Sequence, residues 1–234
     1  MIIWLASYPK SGNTLVRSML SAYFFSKDGI YDFDQLKNIK QFPKTALFEK
    51  IGVDITDEKE IIKNYINVQT NLIKKNSVKF FKTHSYLFNI KNNKFTDLDH
   101  SLGAIYIVRD PRNVISSMSN HYSFSLDEAF EKLMDKEASL SEKSANGDCS
   151  NFTFLGSWSD HYKSWRDTKE FKVLFIKYED LKNNKYEILK EVINFIENLK
   201  KSSEKFDEIK FMNSVNSTNF VNLKNKELNE KFDE

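Results

Sequence analysis

Residues 1–20, MIIWLASYPKSGNTLVRSML, decide the fold. Ile2 to Ala6 is a short apolar run, which predicts a strand buried on both faces, and Leu15, Met19 and Leu20 fall on one side of a following helix. Between them lies the turn Tyr8-Pro9-Lys10-Ser11-Gly12-Asn13-Thr14. It contains a glycine free of Cβ sterics, two hydroxyls and a cation, and the helix N-terminus that follows offers unpaired N–H groups. Those are the parts of a phosphate cradle.

The cradle differs from the usual nucleoside-triphosphate loop. A Walker pattern, G-x-x-x-x-G-K-[ST], places lysine after its second glycine and a hydroxyl on magnesium. Here Lys10 precedes Gly12, and no Walker-type acidic ligand is evident, so magnesium is not implied.

Three further strands are expected to deliver polar residues to the same sheet edge, where ligands bind in open α/β sheets. Val78 to His84 reads as a strand that brings Lys82 and His84, within Lys82-Thr83-His84, to its C-terminal end. Gly103 to Val108 leads into Arg109-Asp110-Pro111-Arg112-Asn113, with Pro111 suited to the first turn of a helix, Asp110 a candidate cap and Ser117 two turns in. Lys172 to Lys177 leads into Tyr178-Glu179-Asp180-Leu181. Helical spacing is predicted from Asp57 to Ile73, where it should cover the sheet, and again over Leu126–Leu133, Phe154–Trp165 and Ile188–Ile196. Residues 27–57 leave room for one or two short helices, and Leu140 to Asn151 reads as a polar surface loop. Trp158, His161 and Trp165 share one helical face, so packing is their expected role.

In this order, P-K-S-G-x-T, K-T-H, V-R-D-P-R-N-V-x-x-S, G-S-W…H…W and Y-E-D-L resemble the segments of cytosolic sulfotransferases, which use 3′-phosphoadenosine 5′-phosphosulfate (PAPS) and release 3′-phosphoadenosine 5′-phosphate (PAP). The resemblance spans Ser7 to Leu181. It implies one α/β domain over residues 1–234, a three-layer α/β/α arrangement with a mainly parallel sheet of P-loop NTPase-like form. The acceptor implied is a hydroxyl or amine of a small molecule or glycan. By the same resemblance, His84 is the general base, with Lys10 and Lys82 assisting the departing phosphate oxygen and the sulfuryl oxygens. Lys10, Ser11, Gly12, Asn13, Thr14 and Leu15 would form the donor loop, Arg109 and Ser117 would hold the 3′-phosphate, and Tyr178 would lie near the adenine. Two positions depart from the pattern: Asn13 stands for a common Thr, and Leu15 for a Trp that often stacks on adenine. Ser85-Tyr86 also replaces the usual Leu-Pro after the histidine, so a different path is expected there. The alternatives are a P-loop small-molecule kinase using ATP and magnesium and a non-catalytic nucleotide-binding relative.

Composition limits the partners. The 35 Lys and Arg nearly balance the 33 Asp and Glu, giving a net charge of +2 that argues for neither nucleic acid nor an anionic membrane. One cysteine in 234 residues permits no intrachain disulfide and suits a reducing compartment. No secretory signal is read at the N-terminus, and no run reaches the roughly 18 apolar residues of a membrane span, so a cytoplasmic location without a membrane anchor is expected. Oligomeric state is not legible. An Arg-Lys-Gly loop, which the resemblance places near the C-terminus, has no counterpart, and the tail from about Asn222 is expected to be poorly ordered, leaving an open donor site.

Overall fold

A computed structural model of the chain describes residues 1–73, 77–143 and 149–218; the expectation for the tail from Asn222 lies outside them. In chain order the elements are β1 (Ile2–Ser7), α1 (Asn13–Phe25), a 3-10 helix (Phe33–Asn38), β2 (Ile39–Gln41), α2 (Thr45–Glu49), α3 (Glu58–Lys63), α4 (Tyr65–Leu72), β3 (Lys79–Thr83), β4 (Asn89–Ile90), β5 (Asn93–Lys94) and β6 (Ser101–Val108). There follow α5 (Pro111–Tyr122), α6 (Leu126–Met134), β7 (Ser139–Lys143), β8 (Cys149–Phe154), α7 (Trp158–Arg166), β9 (Val173–Lys177), α8 (Tyr178–Asn183), α9 (Lys185–Lys200) and α10 (Glu208–Ser217). They fall into two compact units, the first Met1–Asn13 with Gln41–Glu179, the second Thr14–Lys40 with the chain from Asp180.

The first unit is organised by the strands β3, β1, β6 and β9, which lie side by side in that order in one sheet. β1 pairs in parallel with β3 and with β6, and β6 pairs in parallel with β9. Every residue of β1 is buried, as its unbroken apolar run predicts for a strand covered on both faces. On one face Ile2, Trp4 and Ala6 join Phe42, Ile61, Tyr65, Val68, Phe81, Phe95 and Trp165 in an aromatic core. Trp4 lies 5.0–6.1 Å from the rings of Phe42, Phe81 and Phe95, where each tilted pair adds about 0.5–1.5 kcal/mol beyond its buried area. Ile61, Tyr65 and Val68 bring α3 and α4 over the sheet as their spacing requires. A second cluster joins Tyr8 to Val114, Met118, Ala129, Leu133 and Leu155.

The structure corrects three expectations for these segments. The helix expected from Asp57 to Ile73 is interrupted at Asn64, whose side-chain nitrogen donates to the Glu60 carbonyl at 2.9 Å and competes with the helical ladder. Within Leu140 to Asn151, residues 144–148 lie outside the described residues, and the rest is strand: β7 and β8 pair antiparallel, with Leu140 opposite Thr153. Phe152 drops into the aromatic core, so tertiary burial overrides a polar composition that is weak for a strand. Three residues at 39–41 add an edge strand, too short to show a period.

In the second unit α1 continues from the loop, and Ala22, Tyr31 and Leu36 form a small core. Tyr23, Phe206 and Phe211 stack near the start of α10, and Tyr186 of α9 meets Phe211 edge-on at 4.7 Å. Gly29 has φ +86°, and a Cβ there would lie 2.1 Å from the Lys210 carbonyl oxygen, so glycine permits this crossing. Among the described residues no helix is long and apolar enough to cross a membrane.

Candidate active site

The loop after β1 takes a left-handed backbone at Lys10 (φ 65°) and at Gly12 (φ 94°). That alternation curls the main chain so that successive N–H groups turn toward one side, the geometry of an anion nest at a helix start. Gly12 is needed twice over. Besides its φ, a Cβ there would lie 2.3 Å from Cδ2 of Tyr178. Ser11 Oγ is buried and has no hydrogen-bond partner among the described residues, a costly state for a hydroxyl unless a ligand completes it. Asn13 points the other way: its amide nitrogen donates to Leu5 O at 3.0 Å and Ser7 Oγ at 3.2 Å. What Asn13 offers a ligand is therefore its main chain. Thr14 and Leu15, half-buried, make the first turn of α1.

His84 stands one residue beyond β3, and its ring is fastened to β1. Nδ1 lies 2.7 Å from the carbonyl oxygen of Ser7, with Ser7 Oγ at 3.2 Å. A carbonyl only accepts, so Nδ1 carries the proton and donates it. Burial, then the neighbouring Lys82 charge, lowers the imidazole pKa to about 3. The ring is thus neutral in ordinary buffers, and its Nε2 is a bare lone pair, the state a general base requires. Lys82 is itself buried, with its carbonyl held by the Phe42 N–H at 2.8 Å. Beyond His84 the chain is pinned, because Ser85 O accepts from Trp165 Nε1 at 3.1 Å and Tyr86 N–H donates to Phe154 O at 2.8 Å.

Arg109 leaves the end of β6 toward the same loop. Its Nη1 donates to Lys10 O at 2.8 Å, and its guanidinium carbon sits 4.5 Å over the ring of Tyr178. Nε of Arg109 is buried and has no partner among the described residues, so this cation retains a donor for an anion. Glu179 receives the Asp110 N–H at 3.2 Å, and Asp110 caps α5 through the Arg112 N–H with Pro111 in the first turn. Ser117 lies on α5, partly buried. The structure thereby gathers Ser7, Lys10, Gly12, His84, Arg109 and Tyr178 by direct contact. Ser7, which takes both the His84 ring and the Asn13 amide, carried no motif signal beyond its place at the strand end.

An orphaned buried hydroxyl on Ser11, an orphaned Arg109 donor and a nest that tolerates no Cβ at Gly12 together fit an anionic ligand. A family model described as the sulfotransferase domain matches residues 2–233. Over 196 residues the chain is 26% identical to sulfotransferase 1 family member D1 of Mus musculus, covering 83% of this chain and 58% of that protein. Over 234 residues it is 29% identical to sulfotransferase 1E1 of Mus musculus, covering 94% and 65%. The chain thus spans less than two thirds of the length of these two relatives. A crystal structure of retinol dehydratase in complex with retinol and PAP superposes with a TM-score of 0.59 at 16% identity, over 98% of this chain and 69% of that one, which is a likeness of fold. With the parallel sheet, the loop after β1 and a family match across almost every residue in agreement, the chain belongs to the sulfotransferase domain family.

Proposed function

We propose that residues 1–234 act as one catalytic domain that transfers a sulfuryl group from PAPS to a hydroxyl or amine of a small-molecule or glycan acceptor, releasing PAP. The observation that carries this reading is the neutral His84, its Nε2 bare and its Nδ1 anchored to the strand from which the anion nest springs. The donor supplies an activated sulfuryl group on a phosphate leaving group. Main-chain N–H groups from Ser11 to Thr14, with the Ser11 and Thr14 hydroxyls, would hold the 5′-phosphate. Lys10 would offset negative charge at the bridging oxygen as its bond to sulfur breaks. Lys82 would do the same at the sulfuryl oxygens. His84 Nε2 would take the acceptor's proton as the new oxygen–sulfur or nitrogen–sulfur bond forms.

Arg109 and Ser117 would select the 3′-phosphate, for which a guanidinium's fork is better shaped than an ammonium. Tyr178 holds the Arg109 plane from below and would border the adenine. With Leu15 in place of an aromatic ring, adenine would gain little stacking from this position. One cysteine and no possible intrachain disulfide suit a reducing, cytoplasmic setting.

The reading is tested by incubating the chain with 35S-labelled PAPS and a mixture of alcohols, phenols, amines and oligosaccharides, followed by mass spectrometry. Acceptor-dependent release of PAP is expected, with no requirement for magnesium. Turnover of ATP with magnesium and none of PAPS would return the chain to the kinase reading.

A further inference from the structure

Tyr106, at 1% exposure, and His161, at 0%, are buried polar side chains that this chemistry does not use. His161 Nε2 lies 3.0 Å from the main-chain oxygen of His84, and its Nδ1 lies 2.9 Å from the hydroxyl of Tyr106. The protons in this chain have one consistent arrangement. The His84 carbonyl can only accept, so Nε2 of His161 carries the hydrogen. Burial keeps His161 neutral, which leaves Nδ1 as an acceptor, so the Tyr106 hydroxyl donates to it. The hydrogen bonds run from Tyr106 of β6 through His161 of α7 to the main chain of His84, whose ring in turn donates to Ser7 O of β1.

We infer that Tyr106 and His161 are positioning residues that hold the main chain of His84 and so fix the direction in which its Nε2 points. The inference rests on the sulfuryl-transfer reading only for what that nitrogen does. His84 lies one residue past the end of β3, where its carbonyl is no longer within the strand. His161 supplies the missing donor from α7. A leucine of similar bulk would fill the space but leave the His84 carbonyl and the Tyr106 hydroxyl short of partners. The peptide of His84 would then be free to twist, and a twist at the main chain swings the imidazole out of line with its acceptor.

The test uses the full chain labelled with 15N-histidine, which has only four histidines to resolve. Long-range 1H–15N spectra should show His84 protonated at Nδ1 and His161 at Nε2. Tyr106→Phe removes one oxygen at constant shape; it should mix the His161 tautomers and shift His84, while His100 and His121 stay in place. With PAPS and 2-naphthol, Tyr106→Phe should lower kcat about tenfold and leave the KM for PAPS within about twofold, the effect of losing one buried hydrogen bond that acts on the base alone. His161→Leu should lose more, and His161→Gln, whose amide can donate to the His84 carbonyl, should recover to within about threefold of the native rate. PAP calorimetry on each variant checks that the fold survives. His161 protonated at Nδ1 in the native chain, or a Tyr106→Phe chain with unmoved His84 signals, would overturn the inference. A native chain that shows the expected tautomers yet transfers no sulfuryl group upholds the Tyr106–His161–His84 path and overturns the sulfuryl-transfer reading instead.

Discussion

Nδ1 of His84 lies 2.7 Å from the carbonyl oxygen of Ser7, the last residue of the strand whose continuation is the anion nest. One strand end therefore sets both the orientation of the His84 ring and the start of the loop. Any shift of β1 relative to β3 would be felt at both, and the register Ala6 opposite Thr83 holds them together.

Removing the base should separate chemistry from binding. His84→Ala is expected to lower turnover by roughly two to four orders of magnitude, the usual range for a lost general base, while PAP affinity measured by calorimetry changes little. Full turnover in this variant would remove His84 from the mechanism.

The pH dependence follows from two lowered histidines, His84 at about 3 and His161 at about 4, both chiefly through burial. As the pH falls below 6.5 the unfolded chain takes up protons at these rings that the folded chain refuses. Stability is then complete above about pH 6.5, declines on acidification, and stops declining on their account only below about pH 3. Each ring contributes up to about 1.4 kcal/mol per pH unit in that window. Urea unfolding at pH 5 and pH 6 should show it, and His161→Gln should flatten the slope by about one ring's share. Turnover should meanwhile show no loss near pH 6.5, because the base is already neutral there.

Donor recognition should depend on Arg109. Arg109→Ala should weaken PAP about tenfold or more, the worth of one charge-assisted bond, and weaken adenosine 5′-monophosphate far less because it lacks the 3′-phosphate. Equal losses for both nucleotides would mean that the residue serves the loop, through its bond to Lys10 O, and not the ligand.

Gly12→Ala should damage both fold and nest. The new Cβ meets the Tyr178 ring at 2.3 Å, and φ of +94° disfavours any side chain. A loss of about 1–3 kcal/mol in urea unfolding is expected, together with weaker PAP binding. Adding Tyr178→Ala should relieve the clash but not the backbone strain, so stability should return only in part. Complete recovery would show that the ring contact alone demands glycine.

The sequence by itself determined the strand–loop–helix at residues 1–20, the strands that lead to His84, Arg109 and Tyr178, and the capped start of α5. Each is written in a short window: an unbroken apolar run, a glycine in a turn, or an aspartate before a proline. The family match confirms where that local pattern led. Tertiary structure alone decided that Asn13 turns its amide inward to Leu5 and Ser7, that Phe152 makes a strand of a polar stretch, and that His161 reaches the carbonyl of His84. The helical face of Trp158, His161 and Trp165 shows only that a side chain is buried. Which buried partner it meets, 77 residues away in the chain, is set by how β1, β3, β6 and α7 come together, and a buried polar atom must take its hydrogen bond from whatever that packing brings within reach.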